Sequence, residues 1–273
     1  MSALLACAAF LLSALFFLAG GQKKYVAICV WTLIVISLFS DVPASLKADN
    51  LLYPALALLS VPFLALTVTY LFRDDPVILQ LSKAAAIATL IFVPFACVPV
   101  LRDALVQAVV NQVFWIIEVF GHHPHMPAWN IIMESGIATL IILRCTGIMV
   151  LAMMTGIIAG VPALSWKQGV TAFLVIIPLL YLLNLLRVAF VFIAVSDAWF
   201  WFLPNLTNNP GRGASDFFWA HNVFAEALAI AALLAITIGL SRMIPNLAVF
   251  ARELVDRYLG GITAFFRCEP DTR

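Results

Sequence analysis

Long apolar runs alternate along this chain with short breaks of charged, glycine and proline residues. A helical span needs about 20 apolar residues. The pattern predicts seven spans, at roughly 2–19, 25–40, 51–72, 84–101, 138–160, 169–195 and 217–240. Between the fourth and fifth the periodicity changes. From Asp103 to Phe120 the apolar positions Leu105, Val109, Ile116 and Phe120 are interleaved with Gln107, Asn111 and Glu118. That spacing predicts an amphipathic helix lying at the membrane interface. The stretch Gly121-His122-His123-Pro124-His125-Met126-Pro127 then reads as a loop, because glycine and proline punctuate it. From Pro245 the helical period resumes. Leu247, Phe250, Leu254 and Tyr258 fall opposite Arg252, Glu253, Asp256 and Arg257, which predicts a second amphipathic helix on the inner surface.

Composition agrees with this pattern. The 273 residues are 64% hydrophobic and 11% charged, whereas a soluble domain is about half apolar and a quarter charged. The expected fold class is therefore all-α: a polytopic integral membrane protein of about seven transmembrane helices plus interfacial amphipathic helices. No internal repeat is evident. The expected divisions are N-terminal transmembrane helices over 1–80, a membrane core over 81–240 and an amphipathic tail over 241–273. A net charge of +1 gives no reason to expect a nucleic-acid partner.

The first run precedes its lysines, Lys23 and Lys24, the reverse of a signal peptide. An N-terminus outside places Lys23, Lys24, Arg73, Lys83, Lys167, Arg242, Arg252, Arg257, Arg267 and Arg273 inside, against Lys47, Arg102 and Arg212 outside. That asymmetry follows the positive-inside rule. The second outer connection, Ser196 to Ser215, holds the glycosylation-type triplet Asn205-Leu206-Thr207, which is compatible with this orientation. His122, His123 and His125 invite a metal reading, but a polar outer loop explains them better, and no metal site is expected. The five cysteines have no metal-like spacing and no Cys-x-x-Cys pair.

Arg144 and Cys145 in the fifth span, Arg187 in the sixth and His221 in the seventh interrupt the later apolar runs. A cation at the bilayer centre costs about 2.5–3.5 kcal/mol on insertion scales, so such residues are functional candidates. At about 1.5 Å per residue, the expected depths are about 10 Å for Cys145, 12 Å for Arg187 and 6 Å for His221, all in the outer leaflet. Asn184 and Arg187 share a helix face, and Thr146 and Asn222 adjoin the other candidates. These residue types permit acyl transfer. A thiolate is the nucleophile, His221 can carry the proton, and Arg187 can stabilise the oxyanion. Arg144 points about 100° from Cys145 on a helix and is expected to snorkel to the headgroups. Two other classes remain open. In a transporter, Arg187 and His221 would line a permeation path. In a structural protein they would be interhelical glue.

Three motifs in order carry a resemblance: Cys145-Thr146-Gly147-Ile148, then Tyr181-Leu182-Leu183-Asn184-Leu185-Leu186-Arg187, then Phe218-Trp219-Ala220-His221-Asn222-Val223. Upstream, Pro94-Phe95-Ala96-Cys97-Val98-Pro99-Val100-Leu101-Arg102 extends it. Over about 80–260 the chain resembles the exosortase/archaeosortase family, which makes 81–240 its catalytic membrane core. The resemblance implies a cysteine protease/transpeptidase with Cys145 as nucleophile and Arg187 as electrostatic helper. The third position is His221 or Asn222, since family members can use Arg there and this chain has none at the start of its seventh span. The implied partners are surface proteins with a C-terminal tripartite sorting signal, whose short motif is Pro-Gly-Phe in the archaeosortase branch. A membrane lipid is the implied acyl acceptor, and no cofactor is implied.

Overall fold

A computed structural model describes residues 3–47, 50–206 and 213–267. Thr207 of the glycosylation-type triplet, Arg212, Cys268 and Arg273 lie outside the described residues. The chain is helical nearly throughout: α1 (Ala3–Leu18), α2 (Lys23–Lys47), α3 (Leu52–Phe72), α4 (Pro76–Cys97), α5 (Pro99–Val119), α6 (Ile148–Gly160), α7 (Trp166–Ser196), α8 (Ala214–Phe217), α9 (Glu226–Met243) and α10 (Pro245–Arg267). A π-helical segment, Phe218–Ala225, joins α8 to α9. Among the described residues, six helical stretches are long and apolar enough to cross a membrane: Gly20–Lys47, Leu52–Phe72, Pro76–Cys97, Pro99–Val119, Trp166–Ser196 and Ala214–Met243. Leu4–Leu18 and Ile148–Gly160 are apolar but shorter. The chain is an all-α polytopic membrane protein.

The region expected as one span over 138–160 is built differently. It begins as the last strand of a three-stranded antiparallel sheet: β1 (His125–Ala128), β2 (Ile131–Glu134) and β3 (Ile137–Leu140). Ser135 and Gly136, both at positive φ, turn β2 into β3. Two such residues make the tight hairpin turn whose twist matches the strands. The β-branched run Ile137, Thr139, Ile141 and Ile142 then favours extended backbone. A 3-10 turn, Leu143–Thr146, follows, and Gly147 at φ +74° starts α6. Only 13 residues of the expected span are α-helical. Cys145 therefore sits on a turn before a short helix, and the depth count that assumed a continuous helix does not apply to it.

α4 and α6 pack antiparallel through small residues, as membrane helices often do. Gln80 Nε2 donates to the Gly160 carbonyl. At Gly160 an added Cβ would lie 2.8 Å from the Ala84 Cβ, and at Gly156 it would collide with the Ala84 carbonyl oxygen. α7 in turn packs antiparallel to α6. Met154 and Ile158 share a core with Ala172, Ile176 and Leu180.

α5 runs with α7. Tyr181 donates to Gln112 at 2.8 Å, and His122, just past α5, reaches Asp197, just past α7, at 3.8 Å. So α4 and α5 run in the same sense. They are broken at Val98, whose extended backbone (φ −95°, ψ 107°) is what a following proline imposes. Pro99 then starts α5 at the one position where its missing N–H costs nothing. The segment expected after Arg102 as an interfacial helix does form a helix, but one long and apolar enough to cross a membrane. Of the expected apolar positions, Val109 and Ile116 are buried and Phe120 is exposed. The stripe Val106, Val109, Val110, Val113, Ile116 and Ile117 is buried against α7 and the sheet, in a core with Ile132, Ile141, Leu185, Val188 and Phe192.

α7 has 31 residues, about 46 Å at 1.5 Å per residue, while the hydrocarbon of a bilayer is about 30 Å thick. Arg187 lies about 32 Å along α7 from Trp166. Above it, Val188 to Val195 are almost all buried in protein. α10 folds back under the bundle, with the expected residues Leu247, Phe250, Leu254 and Tyr258 on its packed face. Tyr258 stacks on Phe63 at 4.8 Å and bonds Thr67 at 2.6 Å, and Arg257 pairs with Asp75 at 2.7 Å.

Candidate active site

Two residues one turn apart on α7 hold the other two elements of the site. Asn184 Nδ2 donates to the Cys145 carbonyl at 2.9 Å. Arg187 Nη2 lies 3.4 Å from His221 Nε2. The i, i+3 spacing puts both on one side of the helix, so α7 is the shared support of the 3-10 turn and the π-helical segment.

The turn is fixed from within. Cys145 N donates to the Ile142 carbonyl at 2.8 Å. Fully buried Thr146 donates its hydroxyl to the Leu143 carbonyl at 2.7 Å, and the same oxygen accepts from Ile148 N at 3.4 Å. Gly147 has two reasons to be glycine. Its φ is left-handed, and a Cβ there would lie 2.8 Å from Asn184 Cγ. The half-buried Cys145 side chain packs against the core between α5 and α7. Its thiol lies in the fields of Arg187 first and Arg144 second.

His221 sits in a π-helical stretch, a distortion that is rare and concentrated at functional sites. Its ring stacks on Phe217 at 4.9 Å with an interplanar angle of 18°. Nδ1 lies 2.9 Å from Asn222 Oδ1. That oxygen can only accept and the Arg187 guanidinium can only donate. Both contacts therefore select one tautomer, with the proton on Nδ1 and the lone pair on Nε2. Arg187 itself is under-satisfied. Its Nε is buried without a hydrogen-bond partner, and among the described residues no carboxylate pairs with it. Two carboxylates of the adjoining segments, Glu226 and Asp197, are engaged elsewhere. Glu226 accepts from Asn50 at 2.8 Å, and Asp197 accepts from Trp199 Nε1 at 3.3 Å.

Arg144 does not reach for headgroups as expected. It pairs with Asp41 of α2 at 2.7 Å and lies 5.6 Å over the Tyr53 ring of α3. The guanidinium is part-exposed, and the carboxylate and the ring face hold it against α2 and α3. Asn50, between those helices, accepts from Leu52 N at 3.0 Å at the start of α3 while its amide donates to Glu226. α2, α3 and Asn50 between them thus hold neighbours of both halves of the site, Arg144 beside Cys145 and Glu226 at the start of α9. Asp41, Tyr53, Asn50 and Phe217 were not singled out from sequence. The signals available were a lone acid at the end of the second apolar run and an asparagine just before the third. The histidine loop is tied to the sheet: His122 Nδ1 lies 3.0 Å from Glu134, and His123 N donates to the same carboxylate at 2.8 Å.

The model of the family described as Transmembrane exosortase matches residues 2–203. The match takes in the first helices, Cys145 and Arg187 and stops before His221. Among curated proteins, the chain is 29% identical over 220 residues to Archaeosortase A of Natronomonas pharaonis, covering 73% of this chain and 69% of that one. It is 26% identical over 241 residues to Archaeosortase A of Haloferax volcanii, covering 78% of this chain and 72% of that one. No solved structure matches.

Proposed function

Because the chain belongs to the transmembrane exosortase family, we propose that Cys145, Arg187 and His221 are the catalytic group of a membrane sorting transpeptidase. The protein is a multi-pass membrane enzyme of the archaeosortase-like cysteine peptidase/transpeptidase kind. Its substrates are surface proteins bearing C-terminal signals. The observation that carries the site assignment is the grip of Asn184 on the Cys145 turn one helical turn from the contact of Arg187 with His221.

In the mechanism, the Arg187–His221 contact opens first. At 3.4 Å it is long for a hydrogen bond, so little is lost. His221 Nε2 then takes the thiol proton and the Cys145 sulfur attacks the scissile carbonyl. The carbonyl π electrons move to oxygen, and the freed guanidinium of Arg187, with its unpartnered Nε, stabilises that oxyanion. The C–N bond breaks, Nε2–H gives its proton to the departing amine, and a thioester to Cys145 remains. An acceptor hydroxyl or amine attacks the thioester, passing its proton to Nε2, and the thiolate leaves and is reprotonated. Asn222 supports His221 by holding Nδ1–H. Thr146 and Asn184 support Cys145.

The finer assignments are that the motif is Pro-Gly-Phe-like, that the acceptor is a lipid headgroup, and that the site opens on the extracytoplasmic face. The excess of Lys and Arg in the opposite loops supports that orientation. A transporter reading gives no role to the bond between Asn184 and the nucleophile turn.

The test is processing of a reporter carrying a C-terminal signal, in membranes. Cys145→Ala and Cys145→Ser should abolish it. Arg187→Ala and His221→Ala should each slow it by about 10²–10⁴-fold, the range of a positioned base or oxyanion donor. Full processing by the Cys145 variants would refute the nucleophile. His221→Ala with near-normal rate beside a dead Asn222→Ala would move the third position to Asn222.

A further inference from the structure

The sheet is unexplained by the catalytic group, yet its last strand leads directly into the nucleophile turn. β3 pairs with β2 through Ile131 and Leu140, Ile132 and Thr139, Met133 and Ala138, and Glu134 and Ile137. Next in this register, Ile141 N donates to the Asn130 carbonyl at 2.9 Å. In an antiparallel ladder, hydrogen-bonded and non-bonded pairs alternate. Ile137, Thr139 and Ile141 therefore face β2 with their backbone groups, and Ala138 and Leu140 direct their N–H and C=O to the other edge. Among the described residues none of those four groups has a hydrogen-bond partner.

An open edge is normally guarded by a charge, a proline, a bulge or a covering element. Ala138-Thr139-Leu140 carries no charge and no proline, its register is regular, and Ala138 and Leu140 are exposed. Beyond Leu140 the chain stays extended through Ile142 (φ −123°, ψ 173°) and then coils into the turn bearing Cys145. A segment lying along this edge would need to run only two or three residues past Leu140, about 7–10 Å at about 3.3 Å per residue, to come level with the turn.

We propose that the free edge of β3 is the substrate-binding strand: the extended segment of the substrate that contains the scissile bond adds to the sheet beside Ala138 and Leu140. This rests on the reading of Cys145 as nucleophile and extends it to how the peptide is held. Main-chain pairing supplies affinity with little side-chain demand. It suits an enzyme that must accept many surface proteins sharing only a short signal. It also presents the scissile carbonyl in the extended form that leaves one face open to the thiol.

The test uses a synthetic peptide containing Pro-Gly-Phe and its preceding residues, bound to the full-length Cys145→Ala protein in detergent. Each peptide nitrogen that carries a hydrogen is methylated in turn. Strand addition predicts about tenfold weaker binding at every second position and little change between them, because alternate N–H groups face the edge. On the protein, Leu140→Pro removes one outward donor without touching the β2 ladder and should weaken binding about tenfold, whereas Leu140→Ala should stay within about twofold. Loss at consecutive positions, or at none, overturns the proposal, and the methylation series decides even if Leu140→Pro misfolds. Wild-type processing of the same peptide separates the two readings. Alternating binding without processing would refute the catalytic reading alone. Processing without alternation would refute strand addition alone.

Discussion

Asn184 grips the main chain of Cys145, the proposed nucleophile, and leaves its thiol free. The consequence falls on Gly147, whose left-handed backbone lets the turn come within contact distance of Asn184. Gly147→Ala forces a Cβ into that space and costs about 1–2 kcal/mol from the left-handed backbone alone. Reporter processing should fall at least about tenfold, while the Cys145 thiol remains present to alkylation. In the proposed mechanism Asn222 acts on the proton rather than on the fold. Asn222→Ala releases Nδ1 and lets the other tautomer compete. It should lower kcat by about 10²-fold, the low end of what a positioned base contributes, with KM little changed. Cys145, Arg187 and His221 were legible as single residues because a polar side chain stands out in an apolar run. Phe217 was not legible, because a phenylalanine in such a run carries no signal until the ring it stacks on is located.

At the scale of elements, two contacts join the first helices to the site. If the Asp41–Arg144 pair sets the position of the turn, Asp41→Arg and Arg144→Asp should each impair processing, and the double swap should restore much of it. No restoration would show that either residue acts alone. The α4–α6 seam is more severe. Gly156→Val drives a side chain into the Ala84 carbonyl, and overpacking of this kind costs about 1–3 kcal/mol. It should appear as a lowered thermal unfolding midpoint in detergent. Helix identity was largely readable from apolar run length. The stretch from Ile137 to Gly147 reads as part of a span because its apolar residues satisfy a span count as well as a strand. The Ser135-Gly136 turn and the β-branched residues that decide between them were outvoted by hydropathy. For α5 the period was legible but the partner was not, since periodicity shows that a face is buried and does not show against what.

For the whole molecule, the tail closes the bundle. Tyr258 is held between Phe63 and Thr67, and burial pushes its phenol up to about 12. An unfolded tyrosine titrates near about 10. Between those values the unfolded chain has lost the proton and the folded chain keeps it. The contribution is therefore intact below about pH 10 and is lost as pH rises towards about 12. Phenolate absorbance should show a late-titrating component that Tyr258→Phe removes.

The length of α7 has a chemical consequence. A bilayer accounts for about 20 of its residues; with the Trp166 end set at one margin of the hydrocarbon, Arg187, about 32 Å along the helix, is level with the other. In the proposed mechanism, a thioester formed on Cys145 at that height is within reach of water as well as of headgroups. Its fate is then a race between hydrolysis and transfer, decided by how crowded the acceptor is in the adjoining leaflet. In vesicles of increasing acceptor content, the ratio of joined to merely cut reporter should climb while the rate of signal removal stays constant.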